Sequence, residues 1–191
     1  GALQELEEQG TAVVLTEKDV KNAGMDGVFA DEFRGAYEGI CRLVEKGCKK
    51  IAIILGQPEM DAVTEERYRG CLQALEDNGI SGAEKMVLRE AEDLSRVFQG
   101  KKLPDAFWAL NQIAADQCIR ELFKCKKVGM EKIIFMGMDA ENTAQVLDDE
   151  MISVEKDRRK QGKEAVKLLL EAFDAEENDR IRGKRIMIPY K

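Results

Sequence analysis

Short β-branched and apolar runs alternate along this 191-residue chain with segments whose apolar residues recur at helical spacing. This alternation constrains the fold more than any single residue. "TAVVLT" (11–16), "DGVFAD" (26–31), "KKIAIILG" (49–56), "KMVLRE" (85–90), "PDAFWAL" (104–110), "EKIIFMGM" (131–138), "MISVEK" (151–156) and "KRIMIPYK" (184–191) read as strands or extended segments. Helical patterns fall between them, over 32–47, 64–80, 93–100, 112–125, 140–148 and 157–174. Gly47 and Gly79 stand where helix stops are expected. Strands separated by helices of ten or more residues must cross over between them, which predicts parallel sheets covered on both faces. The expected class is α/β. No internal repeat or low-complexity stretch interrupts the pattern.

Composition narrows the function. The chain has no histidine, which removes the usual general base, the serine and cysteine triads that depend on it, and imidazole metal sites. There is no glycine-rich phosphate loop; "GMDGVFADEFRG" has spaced glycines without the strand–turn–helix setting. No cofactor, no metal and no enzymatic activity are therefore expected. The net charge of −7 makes the chain a poor non-specific ligand for nucleic acid, whose binding draws on lysine and arginine. The basic runs at 124–127 and 157–160 read as solvated helix ends. No apolar run reaches membrane-spanning length and no secretory signal is visible, which predicts a cytoplasmic protein without membrane contact. Five cysteines lack disulfide or metal spacing and read as reduced thiols.

One helix carries an anomaly. In "TEERYRGCLQALEDNGI" (64–80), Glu65, Glu66, Arg69, Gln73, Glu76 and Asp77 form a polar arc, and Tyr68, Cys71, Leu72, Ala74 and Leu75 an apolar one. Arg67 falls at the edge of the apolar arc. A buried cation needs a partner, so the fold must give this guanidinium something to hold. Bending outward to Asp61 or Glu65 is one solution.

A second solution comes from the strand ends. Ligands in open α/β sheets bind beyond the carboxyl ends of the strands, and three such ends carry polar residues: Gln57, Asn111 and Asp139. With Arg67 they would suit a ligand rich in hydroxyls or ring nitrogens. Arg67 and Asp139 could partly neutralise each other in the empty state. Asn111 and Asp139 also stand where helix N-caps belong, and a residue can cap and bind together. Trp108, Met136 and Met138 read as core.

These residues carry a family pattern. "ERYRGCLQALEDNGI" resembles the ER-x-x-G-x-x-x-A-L-x-x-x-G-I helix of the lactose/galactose-repressor (LacI/GalR) family of bacterial transcription regulators. "DEFRGAYEGICRLVEKGCKKIAIILG", "LPDAFWALNQIAADQCIREL", "IIFMGMD", "ISVEKDRRKQGKEAVKLLLE" and "RIMIPYK" resemble further segments of that family in the same order. The resemblance implies a periplasmic-binding-protein-like fold: two Rossmann-like lobes with parallel sheets, joined by crossovers, with a small molecule held in the cleft between them. It implies effector contacts at Arg67, Asn111 and Asp139, with Gln57 and Lys156 added at neighbouring positions.

The pattern departs from the family at four points. The family's N-D reads Asn111-Gln112, its T-V-x-Q glutamine reads Lys156, its aspartate after the first strand reads Thr16, and its G-H reads Gly47-Cys48. Lys156 would be consistent with an anionic ligand as an alternative to a sugar.

Three family segments have no counterpart here: the helix-turn-helix, the hinge helix and the first strand–helix–strand. The expectation is an N-terminally truncated core whose N-terminal lobe is incomplete and whose DNA-binding head is absent. Residues 1–55 with 157–180 would form the N-terminal lobe, and 56–156 with 181–191 the C-terminal lobe. The implied function is effector sensing for a LacI-type regulator, with a sugar or related polar metabolite as effector. Homodimerisation is expected, and operator DNA would be reached through the missing helix-turn-helix. The alternative is a solute-binding protein of a sugar transporter or chemoreceptor.

Overall fold

The computed structural model describes residues 2–17, 24–82, 86–100, 102–125, 132–146, 151–174 and 183–191. Lys126 and Lys127 of the basic run and the end of the helix expected over 140–148 lie outside these residues. In chain order the elements are α1 (Ala2–Glu8), β1 (Val14–Thr16), β2 (Asp26–Ala30), α2 (Glu32–Glu45), β3 (Ile51–Ile54), α3 (Ala62–Asp77), β4 (Val87–Leu88) and α4 (Ala91–Gln99). They continue as β5 (Ala106–Ala109), α5 (Gln112–Cys125), β6 (Ile134–Met138), α6 (Glu141–Val146), β7 (Met151–Val154), α7 (Arg158–Asp174) and β8 (Arg185–Ile188). The chain divides into two compact units, Gly1–Asp31 with Lys156–Lys191, and Glu32–Glu155.

The larger unit, Glu32–Glu155, is built on a five-stranded parallel sheet in the order β4-β3-β5-β6-β7. Its central strands are buried on both faces, as parallel strands between helical layers must be. Side chains alternate between the layers with period two. Ala52, Ile54, Phe107, Ala109 and Phe135 join a core with Leu94 and Phe98 of α4 and Ala115, Cys118 and Ile119 of α5. There Phe107 packs on Phe98 and Phe135, with ring centroids 5.0 and 5.5 Å apart.

Trp108 points to the other face, fully buried against Gly39 of α2, where a Cβ would lie 2.1 Å from the indole ring. Met136 and Met138 are buried too, so all three residues expected in the core are there.

The smaller unit holds a three-stranded parallel sheet, β1-β2-β8. Helix α7 packs on it through Ala165 and Leu168, against Val28 and Ile188. Buried Gln161 donates to the Val28 carbonyl at 2.9 Å. Asp26, also buried, accepts from the Lys184 amide at 2.8 Å, which fixes where β8 joins β2.

The strand pairing corrects the expected lobe boundaries. Residues 32–55 are expected in the N-terminal lobe, yet β3 pairs with β4 and β5 in the larger unit. Residues 181–191 are expected in the C-terminal lobe, yet β8 pairs with β2 in the smaller one. Hydrophobic periodicity identifies a strand, but its sheet is decided by long-range register, which a local pattern does not encode.

Candidate functional site

The larger unit positions its polar residues at the carboxyl ends of β3, β5 and β6, and α3 brings Arg67 to them. Helix α3 starts two residues earlier than the spacing predicts, because Asp61 is its N-cap and accepts from the Thr64 amide at 2.8 Å. Arg67 therefore does not turn outward to Asp61.

Three residues beyond Arg67, Gly70 lies against the first turn of α2. A Cβ on Gly70 would come 2.2 Å from the Phe33 carbonyl oxygen. The glycine of the ER-x-x-G motif thus allows close backbone approach, and that approach sets Arg67 opposite Glu32, the first residue of α2.

The Arg67 side chain is 3% exposed and its guanidinium is held from three elements. Nε donates to Glu32 Oε2 at 2.6 Å, Nη1 to the Leu110 carbonyl oxygen at 2.5 Å, and Nη2 to Asp139 Oδ2 at 2.5 Å. These charge-assisted bonds offset the cost of burying the cation. The mutual neutralisation of Arg67 and Asp139 expected from the sequence is present.

Asp139 sits in the left-handed region, with φ 50°. This conformation is costly for most residues and easier for Asp and Asn. Its amide donates to the Val154 carbonyl at 2.9 Å. The next amide, that of Ala140, donates to Ser153 Oγ at 2.9 Å. The strained residue is therefore tied to β7 while its carboxylate reaches Arg67.

Asn111 caps α5: its Oδ1 accepts from the Ala114 amide at 2.8 Å. Its Nδ2 donates to the Leu55 carbonyl at 3.0 Å, linking the ends of β5 and β3. Gln57 follows in the turn after Gly56, half-buried. Gly56 has φ 82° and would place a Cβ 2.7 Å from the Ala114 amide nitrogen, so this turn is pressed onto the start of α5. Gln117 holds it there, donating from Nε2 to the Gly56 carbonyl at 3.0 Å.

The structure thus joins Arg67 directly to Asp139 and, through the Leu110 carbonyl, to the residue before Asn111. Gln57 stands two residues past the carbonyl that Asn111 holds. Lys156 belongs to the smaller unit, where its buried side chain pairs with Glu17 at 2.9 Å and its backbone bridges to Tyr190.

The sequence reading missed Glu32. Its signal, an acidic residue opening a helix, is shared by many solvated helix starts. It also missed the polar cluster beside the strand ends. Gln112, standing in place of the family's aspartate, donates to Asp116 at 2.7 Å and to Thr143 Oγ1, and Thr143 in turn donates to Asp116 at 2.5 Å.

The five cysteines are free thiols. Burial pushes the Cys71 and Cys118 thiols far above their ordinary range and raises that of Cys48, so none of these three is an activated nucleophile. Among the described residues no group of acidic or cysteine side chains could hold a metal, and no helix is long and apolar enough to cross a membrane.

Comparison with known proteins adds a family. Residues 40–190 match the family model of a periplasmic binding protein-like domain. The chain is similar to the NTD biosynthesis operon regulator NtdR of Bacillus subtilis, 27% identical over 168 residues that cover 84% of this chain and 50% of NtdR. It is also similar to the HTH-type transcriptional repressor PurR of Haemophilus influenzae, 30% identical over 159 residues that cover 78% of this chain and 46% of PurR. The chain spans about half the length of these curated relatives. Among solved structures, a LacI family transcriptional regulator from Enterococcus faecium with bound ribose matches with a TM-score of 0.77. That match is 21% identical and covers 100% of this chain and 72% of the other, a likeness of fold.

Proposed function

We propose, from the premise that this chain belongs to the periplasmic binding protein-like domain family, that it is the effector-sensing core of a LacI-type bacterial transcription regulator. The carrying observation is the convergence of Asp139 and the Leu110 carbonyl, beside Asn111 at the end of β5, on the Arg67 guanidinium. These groups come from three separate motifs of the sequence. Their meeting at the carboxyl ends of parallel strands is what a ligand site in such a sheet requires. NtdR and PurR, an operon regulator and a repressor, support regulation over solute transport.

In this reading the Arg67–Asp139 pair forms one wall of the effector site. An effector with hydroxyl donors and oxygen or nitrogen acceptors engages Asp139 with the former and Arg67 with the latter. Asn111, with one further N–H and lone pairs beyond its cap, adds a third contact. Gln57 and Lys156 are further candidate contacts, and Lys156 already pairs with Glu17. A sugar or related polar metabolite fits this donor set. Output follows from differential affinity of the effector for two conformations, which shifts their populations and with them DNA binding. Dimer formation, operator contact through a helix-turn-helix, a cytoplasmic location and the lack of catalysis belong to the same proposal.

A thermal-shift screen with pentoses, hexoses, nucleosides and nucleobases tests it. A true effector at a hundred times its Kd adds about 2.7 kcal/mol to stability. At least one compound is expected to stabilise the wild-type chain, and Arg67→Gln is expected to cut that shift to well under half while leaving it measurable. A compound that stabilises both proteins equally is not bound by Arg67, and the assignment fails.

A further inference from the structure

We propose that Glu32 is the positioning residue for the Arg67 guanidinium, fixing its plane so that the Nη edge faces the ends of β5 and β6. The inference rests on the effector reading of Arg67 for its functional consequence, and on geometry alone for the positioning itself. A guanidinium is a flat fork with one Nε–H on its side and the Nη groups at its tip. Glu32 takes the Nε–H at 2.6 Å, while the tip reaches the Leu110 carbonyl and Asp139. The bond to Glu32 is thus the one that does not occupy the Nη edge, the edge assigned to the effector. Without it, only the tip contacts, which an effector would have to share, resist rotation of the plane about the Cδ–Nε bond.

Two features hold Glu32 itself in place. It opens α2 as a buried residue, 9% exposed. Gly70 lets α3 approach the Phe33 carbonyl closely, so the helix carrying Arg67 and the helix start carrying Glu32 are pinned together one residue away. The preceding residue, Asp31, donates its amide to the Ile188 carbonyl at 2.9 Å and belongs to the other compact unit. Glu32 is therefore the first residue of the larger unit in sequence and a direct partner of a candidate effector contact.

The test begins without any ligand, on the full chain, with the arginine Nε–H region of a 1H–15N spectrum. The wild type is expected to show a slowly exchanging Nε–H signal that disappears in Arg67→Lys. In Glu32→Ala its exchange speeds by about tenfold or more, in Glu32→Gln by less, and in Asp139→Asn the signal persists. Should Glu32→Ala fail to give a dispersed spectrum, Glu32→Gln decides by the same signal. An Nε–H indifferent to Glu32, or lost equally in Asp139→Asn, overturns the proposal.

The second arm is calorimetric titration with whichever screened compound most stabilises the wild type. Glu32→Gln is expected to weaken it about tenfold, but less than about twofold on an Arg67→Gln background. Equal weakening on both backgrounds overturns positioning through Arg67. If no screened compound binds while the Nε–H signal behaves as described, the effector reading fails and the positioning of Arg67 stands.

Discussion

Arg67 is legible as a misplaced cation in the sequence alone, because a charge on the edge of an apolar arc demands a partner. Which partner was only half legible. Asp139 followed from its place at a strand end, whereas Glu32 lies 35 residues away on a helix whose start looks like any acidic start. The network predicts an asymmetry. Arg67→Met leaves Glu32 and Asp139 without the cation they share and costs about 3 kcal/mol in urea unfolding. Asp139→Asn keeps an acceptor and the left-handed backbone and costs about 1 kcal/mol. Equal costs for the two would mean that the guanidinium does not organise the cluster. The thiols give a second expectation at this scale. Half-buried Cys41 and Cys125 react with a maleimide in the native protein, while buried Cys48, Cys71 and Cys118 react only on unfolding.

At the scale of elements, periodicity read most of the helices and strands to within a few residues, since burial on one face or two is a local property of the pattern. Its failures have physical causes. Asp61 extended α3 backwards by capping Thr64, a side-chain bond that periodicity does not see. The ER-x-x-G glycine carries no local signal of its role, and only the packing shows what it permits. Gly70→Ala forces a methyl group into the Phe33 carbonyl, moving α3 from α2, and is expected to lower stability by about 2 kcal/mol. The same substitution at Gly162, with open space around its Cβ position in α7, is expected to be neutral or stabilising. Thermal melts of the two variants compare them directly; equal losses would refute the close-approach role of Gly70.

For the whole molecule, the alternation of strands and helices announced parallel sheets, and the collinear motifs announced a periplasmic-binding-protein-like domain, to which the chain belongs. The assignment of strands to sheets was not legible, since β3 and β8 each carry local patterns that suit either sheet. The observed division makes a prediction of its own. Residues 32–155 hold all five strands of the larger sheet and the Arg67 network. Expressed alone, they are expected to unfold cooperatively with the Nε–H of Arg67 still protected. A fragment without a cooperative transition would show that the larger unit does not stand by itself.

Effector sensing as proposed depends on a polar ligand being gripped by Arg67, Asn111 and Asp139 together. The most direct measurement is a crystal structure of the chain with the most stabilising compound from the screen. It should show ligand oxygen or nitrogen atoms about 3 Å from the Arg67 Nη groups, the Asn111 side chain and the Asp139 carboxylate. A ligand bound elsewhere, with the Arg67–Asp139 pair intact as in the present structure, would contradict it.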